Sequence, residues 1–165
     1  MKPTASKSFY DRVAIAAFDR LRDPSLLFVR VLWGWMFFQT GYGKLGDLTG
    51  TTEFFASLGL PVPFVNAVFV GALECGGGLL LLGGLASRPI ALLLLGNMVV
   101  AYLTAHRDAF GSVRSFVGAE PYPFLLAALL VLAFGPGRWS IDALLRRPAG
   151  HEDIAVAVAG SRPQA

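Results

Sequence analysis

Long stretches without a charged side chain are the feature that most constrains the fold of this chain. Three of them contain no Asp, Glu, Lys or Arg: residues 54–73, 89–106 and 121–137. Two further apolar stretches contain a single charge each, Arg30 within residues 24–43 and Glu74 within residues 62–87. Because an α-helix needs about 20 mostly apolar residues to cross a bilayer, the pattern predicts several membrane-spanning helices.

The composition supports this interpretation and excludes other classes of protein. Of the 165 residues, 55% are hydrophobic and 15% are charged, whereas soluble domains carry about 25% charged residues. A disordered, nucleic-acid-binding or soluble globular protein is therefore not expected. Cys75 is the single cysteine, which excludes an intramolecular disulfide and any metal site built from several cysteines of this chain.

Turn-forming residues divide the apolar sequence into four predicted spans. Residues 59–63 are rich in Gly and Pro and should end any helix there, and the short connection at residues 83–89 makes its flanking helices antiparallel neighbours. Asp23 and Pro24 offer an N-cap followed by a proline at the first helical position. The predicted spans are residues 25–45, 64–86, 88–106 and 122–138. We therefore predict an all-α integral membrane four-helix bundle with up-down-up-down topology, formed by residues 25–146.

The basic residues predict which ends of the spans face the cytoplasm. Ten of the 14 Lys and Arg residues fall on one side of the predicted bundle: Lys2, Lys7, Arg12, Arg20, Arg22, Arg88, Arg138, Arg146, Arg147 and Arg162. Arg107 and Arg114 fall on the other side. Since cytoplasmic loops carry the excess of Lys and Arg, both termini are expected in the cytoplasm.

The two terminal segments are predicted to lie outside the hydrocarbon core. Residues 1–24 place apolar side chains at helical spacing between charged ones, which is typical of an interfacial amphipathic helix. A partly ordered cytoplasmic tail is the alternative for this segment. Residues 147–165 are rich in Pro, Gly and Ala, which predicts a flexible cytoplasmic tail.

Three ionisable residues inside the predicted spans carry most of the functional information. Each of Arg30, Lys44 and Glu74 costs about 2.5–3.5 kcal/mol at the centre of a membrane helix unless a partner or a cavity accommodates its charge. Arg30 and Lys44 are 14 positions apart and so lie within about 40° of one helix face, where Glu74 can pair with either. Such a pair is interpreted as a ligand or proton site, with Glu74 the best candidate for a catalytic residue, or as a structural lock.

Further polar residues and glycines complete the predicted site. Gln39, Asn97, Tyr102 and His106 extend the ligand-binding cluster, although Gln39 lies about 180° around its helix from Arg30. Their alternative roles are hydrogen bonding between helices or, for His106, simple solvation. Four small residues are predicted to permit close helix packing: Gly34, Gly41, Gly77 and Gly78. No metal or haem is expected, because two histidines and one cysteine supply too few ligands.

Four segments in a fixed order carry a family resemblance. They are R-x3-G-x6-G-x2-K from Arg30 to Lys44, F-F-A-S-L-G-L-P-V-P at residues 54–63, G-A-L-E-x-G-G-G-L-L-L-L-G at residues 71–83, and G-P-G-R-W-S-I-D at residues 135–142. Over about residues 25–145 the chain thereby resembles the DoxX family of small four-helix bacterial membrane proteins. The resemblance implies a multi-pass protein of the bacterial inner (plasma) membrane.

The same resemblance implies a redox function. Members of the family are associated with quinone-reducing thiosulfate oxidation, and others are similar to partners of secreted superoxide dismutase and sulfurtransferase. It therefore implies a quinone-linked subunit, similar to thiosulfate:quinone oxidoreductase, with ubiquinone or menaquinone as cofactor and redox enzymes or secreted proteins as partners. In that hypothesis Lys44, Tyr102 or His106 binds a quinone oxygen or an anionic substrate, and Glu74 relays protons.

Two alternative functions use the same predicted fold. One is a membrane scaffold that docks partner proteins through its outer loops, residues 46–63 and 107–121, with the charged core serving only to hold the bundle together. The other is a small-molecule transporter, which has less support because no pair of spans forms an inverted repeat. Glycine-rich faces on the first two spans are compatible with packing inside the bundle or with a homo-oligomer.

Overall fold

The computed structural model describes residues 9–146, with side chains from residue 20 onward. All regular elements in this part of the chain are helices, and none of its residues forms a strand. The all-α prediction is therefore confirmed for these residues. In chain order the elements are α1 (Phe9–Gly46), α2 (Leu48–Ser57), α3 (Pro63–Gly83), α4 (Ser87–Thr104), a 3-10 helix (Arg107–Gly111), α5 (Val113–Gly118), α6 (Pro121–Phe134) and α7 (Ile141–Leu145).

Helices α3 and α4 are each long and apolar enough to cross a membrane, with 21 and 18 residues respectively. Helix α6 is strongly apolar as well but has 14 residues. Helix α1 has 38 residues and carries Arg30 and Lys44 in its apolar C-terminal part. Two helices of the described residues thus have, each by itself, the length and hydropathy of a membrane span.

The ends of these helices follow the predicted turn residues. Pro63 occupies the first turn of α3, where the missing N–H of proline leaves no hydrogen bond unmade. At its other end α3 has Gly84 as its C-cap. The φ of Gly84 is 71°, in the left-handed region that glycine adopts without strain. Helix α6 stops at Phe134 because Gly135, with φ of 77°, turns the chain before Pro136.

The start of α1 differs from the prediction. The helix does not begin at Pro24 but runs through it from Phe9. The carboxylate predicted to cap the helix has another use: Asp23 Oδ1 accepts a hydrogen bond of 3.1 Å from the backbone N–H of Arg138. Because Pro24 has no backbone N–H, α1 lacks the hydrogen bond that this position would donate to the carbonyl of Arg20.

Other predictions about the termini fall outside the described residues. These are the structure of residues 1–8, the amphipathic face formed by side chains before residue 20, and the tail at residues 147–165. The interfacial helix and the flexible tail therefore stay predictions.

The closest contact between helices joins α1 and α3, and glycines form it. A Cβ added at Gly34 would lie 2.9 Å from the carbonyl oxygen of Gly78, and one added at Gly78 would lie 2.6 Å from that of Gly34. A Cβ at Gly41 would overlap the backbone nitrogen of Cys75. The backbones of the two helices therefore touch where no side chain separates them. Gly77 instead faces Leu94 of α4.

A hydrophobic core fills the space between α1, α3, α4 and α6. Its buried members come from all four helices: Phe37, Leu81, Ala91, Leu94, Met98, Phe124, Ala128 and Val131. The Phe124 ring meets the rings of Phe37 and Trp33 edge-on, with centroids 4.8 and 5.1 Å apart. These edge-to-face contacts join α6 to α1.

The glycine contact predicts a position-specific response to a single added methyl group. Gly41→Ala and Gly78→Ala should lower the free energy of unfolding by about 1–3 kcal/mol, because each Cβ meets backbone that cannot move aside. Gly43 and Gly76 lie on the same two helices with open space around them, so Gly43→Ala and Gly76→Ala serve as matched controls without loss. Thermal unfolding in detergent micelles measures the difference, and equal losses in both pairs would contradict the close contact.

Candidate functional site

Glu74 lies at the centre of a buried polar cluster contributed by three helices. Its side chain is 3% exposed. Its Oε2 accepts a hydrogen bond of 2.5 Å from Lys44 Nζ of α1, and its Oε1 accepts one of 2.8 Å from Asn97 Nδ2 of α4. Both carboxylate oxygens are thus hydrogen-bonded and one positive charge balances the negative one, as a buried ion pair requires. We call Lys44, Glu74 and Asn97 the Glu74 cluster.

A cavity of about 230 Å³ adjoins the Glu74 cluster. Two helical stripes at four-residue spacing line it: Asn66, Val70 and Glu74 on α3, and Asn97 and Ala101 on α4, continued by Ala105 just after the helix end. Phe54 and Phe55 of α2 and Phe124 of α6 add aromatic surface. The middle of the cavity is therefore apolar, while its inner end meets the ion pair.

Polar groups also lie at the other end of the cavity. His106 lines it nine residues beyond Asn97 on the chain, just after the end of α4. Glu120, just before α6, and Asn66, near the start of α3, line the same end. Lys44 and Glu74 both line the cavity, and the side chain of Lys44 is 29% exposed against 3% for Glu74.

Two of the predicted site residues lie away from the cavity. Gln39 is exposed on the outside of α1, as its helical phase relative to Arg30 predicts. Tyr102 is buried, and its hydroxyl donates a hydrogen bond of 2.7 Å to the carbonyl of Phe116. Its ring also stacks on that of Phe116 with centroids 4.6 Å apart. Tyr102 therefore holds α5 against α4 and is not in a position to contact a ligand in the cavity.

Arg30 is also separated from Glu74. Its side chain is 1% exposed and donates hydrogen bonds to the carbonyls of Pro136 at 2.5 Å and Trp139 at 2.9 Å. The 14 residues between Arg30 and Lys44 correspond to about 21 Å along α1. Of the two ion pairs left open by the sequence, the structure forms Lys44–Glu74, while Arg30 joins α1 to the segment that follows α6.

The segment after α6 also closes the start of α4. Asp142 of α7 accepts hydrogen bonds from the backbone N–H groups of Ala86 at 2.8 Å and Ser87 at 2.9 Å. Partial burial by itself would raise the pKa of Asp142, but these two amide hydrogen bonds, together with the hydroxyl of Ser87 and the charge of Arg146, lower the pKa below its usual value. Asp142 thus supplies, from another helix, the N-cap that α4 lacks in its own sequence.

The comparisons with known proteins agree with the resemblance carried by the four segments. Residues 25–107 match the DoxX family model. This chain belongs to the DoxX family. It is 30% identical over 78% of its length to the inner membrane protein YqjF of Escherichia coli, 97% of which is covered, and 30% identical over 76% of its length to the inner membrane protein YphA of the same organism, 93% covered.

A third relative has a name that mentions a reaction class. The DoxX chain is 35% identical over 61% of its length to a Bacillus subtilis protein named "Putative oxidoreductase CatD", 69% of which is covered. No solved structure matches the chain. Because the DoxX family consists of membrane proteins and two of these relatives are inner membrane proteins, this DoxX chain is a membrane protein as well.

Several residues of the cavity in this DoxX protein were not predicted from the sequence. Asn66 is two helical turns before Glu74 on the same face of α3, so periodicity could have found it. The sequence predicts Phe54 and Phe55 in an outer loop, whereas they lie on α2, which packs against α3. No local pattern predicts that Glu120 lines the cavity, because only the folded chain brings the start of α6 to the end of α4.

The ion pair predicts strongly coupled effects of mutation. Lys44→Met should lower the free energy of unfolding by about 3–5 kcal/mol, because it leaves the buried carboxylate of Glu74 uncompensated. The double variant Lys44→Met/Glu74→Gln should recover most of this loss, since the Gln amide still accepts from Asn97. The free energies of unfolding of wild type, the two single variants and the double variant are measured in micelles. Gln39→Leu, at an exposed site, is the control. Additive losses would contradict the pairing.

The cap from Asp142 predicts a pH-dependent contribution to stability. Asp142→Asn should lower the free energy of unfolding by about 1 kcal/mol at neutral pH, because the amide has one acceptor oxygen whereas each carboxylate oxygen accepts from one backbone N–H. Because folding lowers the pKa of this carboxyl, the contribution is complete above its ordinary pKa of 3.8 and is lost as the pH falls through the lower pKa of the folded state. Wild type and variant should therefore converge only below about pH 3.8. The same titration of the exposed Asp108→Asn is the control, and a pH-independent difference would contradict the cap.

Proposed function

We propose that this DoxX protein is a multi-pass protein of the bacterial inner membrane that binds a quinone and serves as a quinone-linked redox subunit. The observation that carries the proposal is the apolar cavity that ends at the Glu74 cluster. Intramembrane charges are costly and are functional by default, and this one adjoins a space open to a ligand. The word "oxidoreductase" in the name of CatD supports a redox role.

The contacts between helix ends support a four-helix transmembrane bundle with both termini in the cytoplasm. The hydrogen bond from Arg22 to the carbonyl of Phe134 joins the first half of α1 to the end of α6. The bonds from Ala86 and Ser87 to Asp142 bring the α3–α4 connection to the same end. Basic residues gather there, among them Arg22, Arg88, Arg138 and Arg146, while Arg107 and Arg114 follow the opposite end of α4. This asymmetry is what the positive-inside rule expects.

The residues around the cavity fit the head group of a quinone. A quinone ring needs apolar walls, and its carbonyl oxygens need hydrogen-bond donors. Lys44 has three N–H groups, one of which is used by Glu74, and the amide of Asn97 has a second N–H. A volume of about 230 Å³ is below the roughly 300–1,000 Å³ typical of ligand sites. The cavity therefore suits a ring, and a long tail would leave it beside the exposed Phe54 and Val100.

The chain's own residues would bind the ring and hold protons. A bound quinone supplies the electron-accepting chemistry, taking up two electrons and two protons to become a quinol. Lys44 would orient a carbonyl oxygen at the inner end and could pass it a proton, and Glu74 would relay the replacement proton to Lys44. His106, at the opposite end, can exchange protons with the outer face. The electrons come from a redox enzyme or a secreted protein that associates with the subunit.

Occupation of the cavity can be tested on the purified protein. Wild-type protein extracted in a mild detergent should retain ubiquinone or menaquinone that mass spectrometry detects. Ala101→Phe places a ring into the middle of the cavity and should reduce the retained quinone at least about tenfold, because the space is no longer available. The matched control is Ala72→Phe, at an exposed position of α3, which should retain as much quinone as wild type.

The outcome separates the proposal from its main alternative. Retained quinone that Ala101→Phe removes supports the redox subunit. Wild-type protein without quinone, or equal retention in Ala101→Phe, would contradict the proposal and favour a scaffold that docks partners through the segments around α2 and α5.

A further inference from the structure

The charges around the cavity are balanced in a way that restricts its ligand. Among the described residues that line it, those able to carry a charge are Lys44, Glu74, His106 and Glu120. Lys44 is the fixed positive charge of this set, and it is paired with Glu74 at 2.5 Å. Glu120 is exposed at the other end and adds a negative charge. The lining therefore offers an arriving anion no uncompensated fixed positive charge.

We infer that this cavity selects an uncharged ligand with an oxygen acceptor and excludes anions. The inference rests on the proposed function and narrows its ligand class. Of the two ligand types that the sequence leaves open, a quinone oxygen or an anionic substrate, the arrangement of charges favours the first.

The hydrogen-bonding groups explain why the ligand must present an acceptor. Both oxygens of Glu74 already accept hydrogen bonds, and the carboxylate is 3% exposed. Lys44 lines the cavity, its side chain is 29% exposed, and Glu74 takes one of its three N–H groups. The inner end is therefore a donor surface. A carbonyl oxygen completes it, whereas a ligand with donors alone leaves the N–H groups of Lys44 unpaired.

The same arrangement explains why an anion is excluded. An anion that leaves water for a mostly apolar cavity loses its hydration and needs a compensating charge. The single positive charge of Lys44 already balances Glu74, so an anion bound to its remaining N–H groups would leave the site with a net buried negative charge. A neutral carbonyl oxygen adds no such charge. Anionic sulfur compounds are therefore expected not to occupy this cavity.

Two probes with similar rings but different charge test the inference directly. Binding of menadione, which is neutral, and of naphthoquinone sulfonate, which is anionic, is measured by isothermal titration calorimetry with the wild-type protein in micelles. Titrations into empty micelles correct for partitioning. We expect menadione to bind at least about tenfold more tightly than the sulfonate, because the sulfonate finds no free positive charge. Ala101→Phe should abolish binding of menadione, which assigns it to the cavity.

Variants that change only the charge balance should change the preference. Glu74→Gln leaves Lys44 uncompensated and should strengthen binding of the sulfonate at least about tenfold, with a smaller effect on menadione. Glu120→Gln removes an exposed negative charge and should strengthen binding of the sulfonate about twofold. Added salt should reduce this gain, because it screens exposed charges. Because Glu120 makes no hydrogen bond that caps α6, this second variant keeps the test independent of whether Glu74→Gln folds. Gln39→Leu is the uncharged control.

The results distinguish failure of the inference from failure of the proposed function. If the sulfonate binds the wild type as tightly as menadione does, and Ala101→Phe abolishes both, the charge selection is wrong while the quinone site stands. If Glu74→Gln and Glu120→Gln leave the preference unchanged, the assigned cause is wrong. If neither compound binds, the proposed function fails and the inference fails with it.

Discussion

The buried carboxylate of Glu74 is the group on which the arrangement of the helices depends. A negative charge within an apolar helix is stable only if other helices supply a counter-charge and hydrogen bonds. Lys44 of α1 and Asn97 of α4 meet this requirement, one at each carboxylate oxygen. The side chain of Glu74 therefore fixes the axial positions of both α1 and α4 relative to α3. A shift of either helix by one residue, about 1.5 Å, would break a buried bond that no solvent replaces.

The glycine contact makes the ion pair geometrically possible. Gly41 precedes Lys44 by three residues, and Cys75, which Gly41 touches, directly follows Glu74. The closest approach of the two backbones and the ion pair are thus at the same level of the α1–α3 contact. A larger residue at Gly41 would separate the helices there and draw Lys44 away from Glu74. The small residues have an electrostatic consequence as well as the packing role that spacing predicts for them.

The sequence predicted the elements better than their polar contacts, for a physical reason. Apolar length and turn residues are local, so α3, α4 and α6 follow from the residues within them. Helical phase placed both Arg30 and Lys44 within reach of Glu74 and could not choose between them. The choice depends on carbonyls of Pro136 and Trp139, more than 100 residues along the chain from Arg30, which no local pattern reveals. The sequence did not predict that Phe54 and Phe55 of α2 line the cavity, for a related reason. A helix of ten residues between longer apolar segments is easily predicted as a loop.

The two ends of the molecule have different physical roles. At one end, Arg30, Asp142 and Asp23 form polar contacts across more than 50 positions of sequence, and each contact has one partner in the segment that follows α6. At the other end lies the cavity, whose lining atoms forgo dispersion contacts that a collapsed core would make. A space of this kind persists only if the surrounding helices cannot move together to fill it. The contacts at the first end, together with the Glu74 cluster, hold α1, α3 and α4 in fixed positions, and this keeps the three helices from moving together over the cavity.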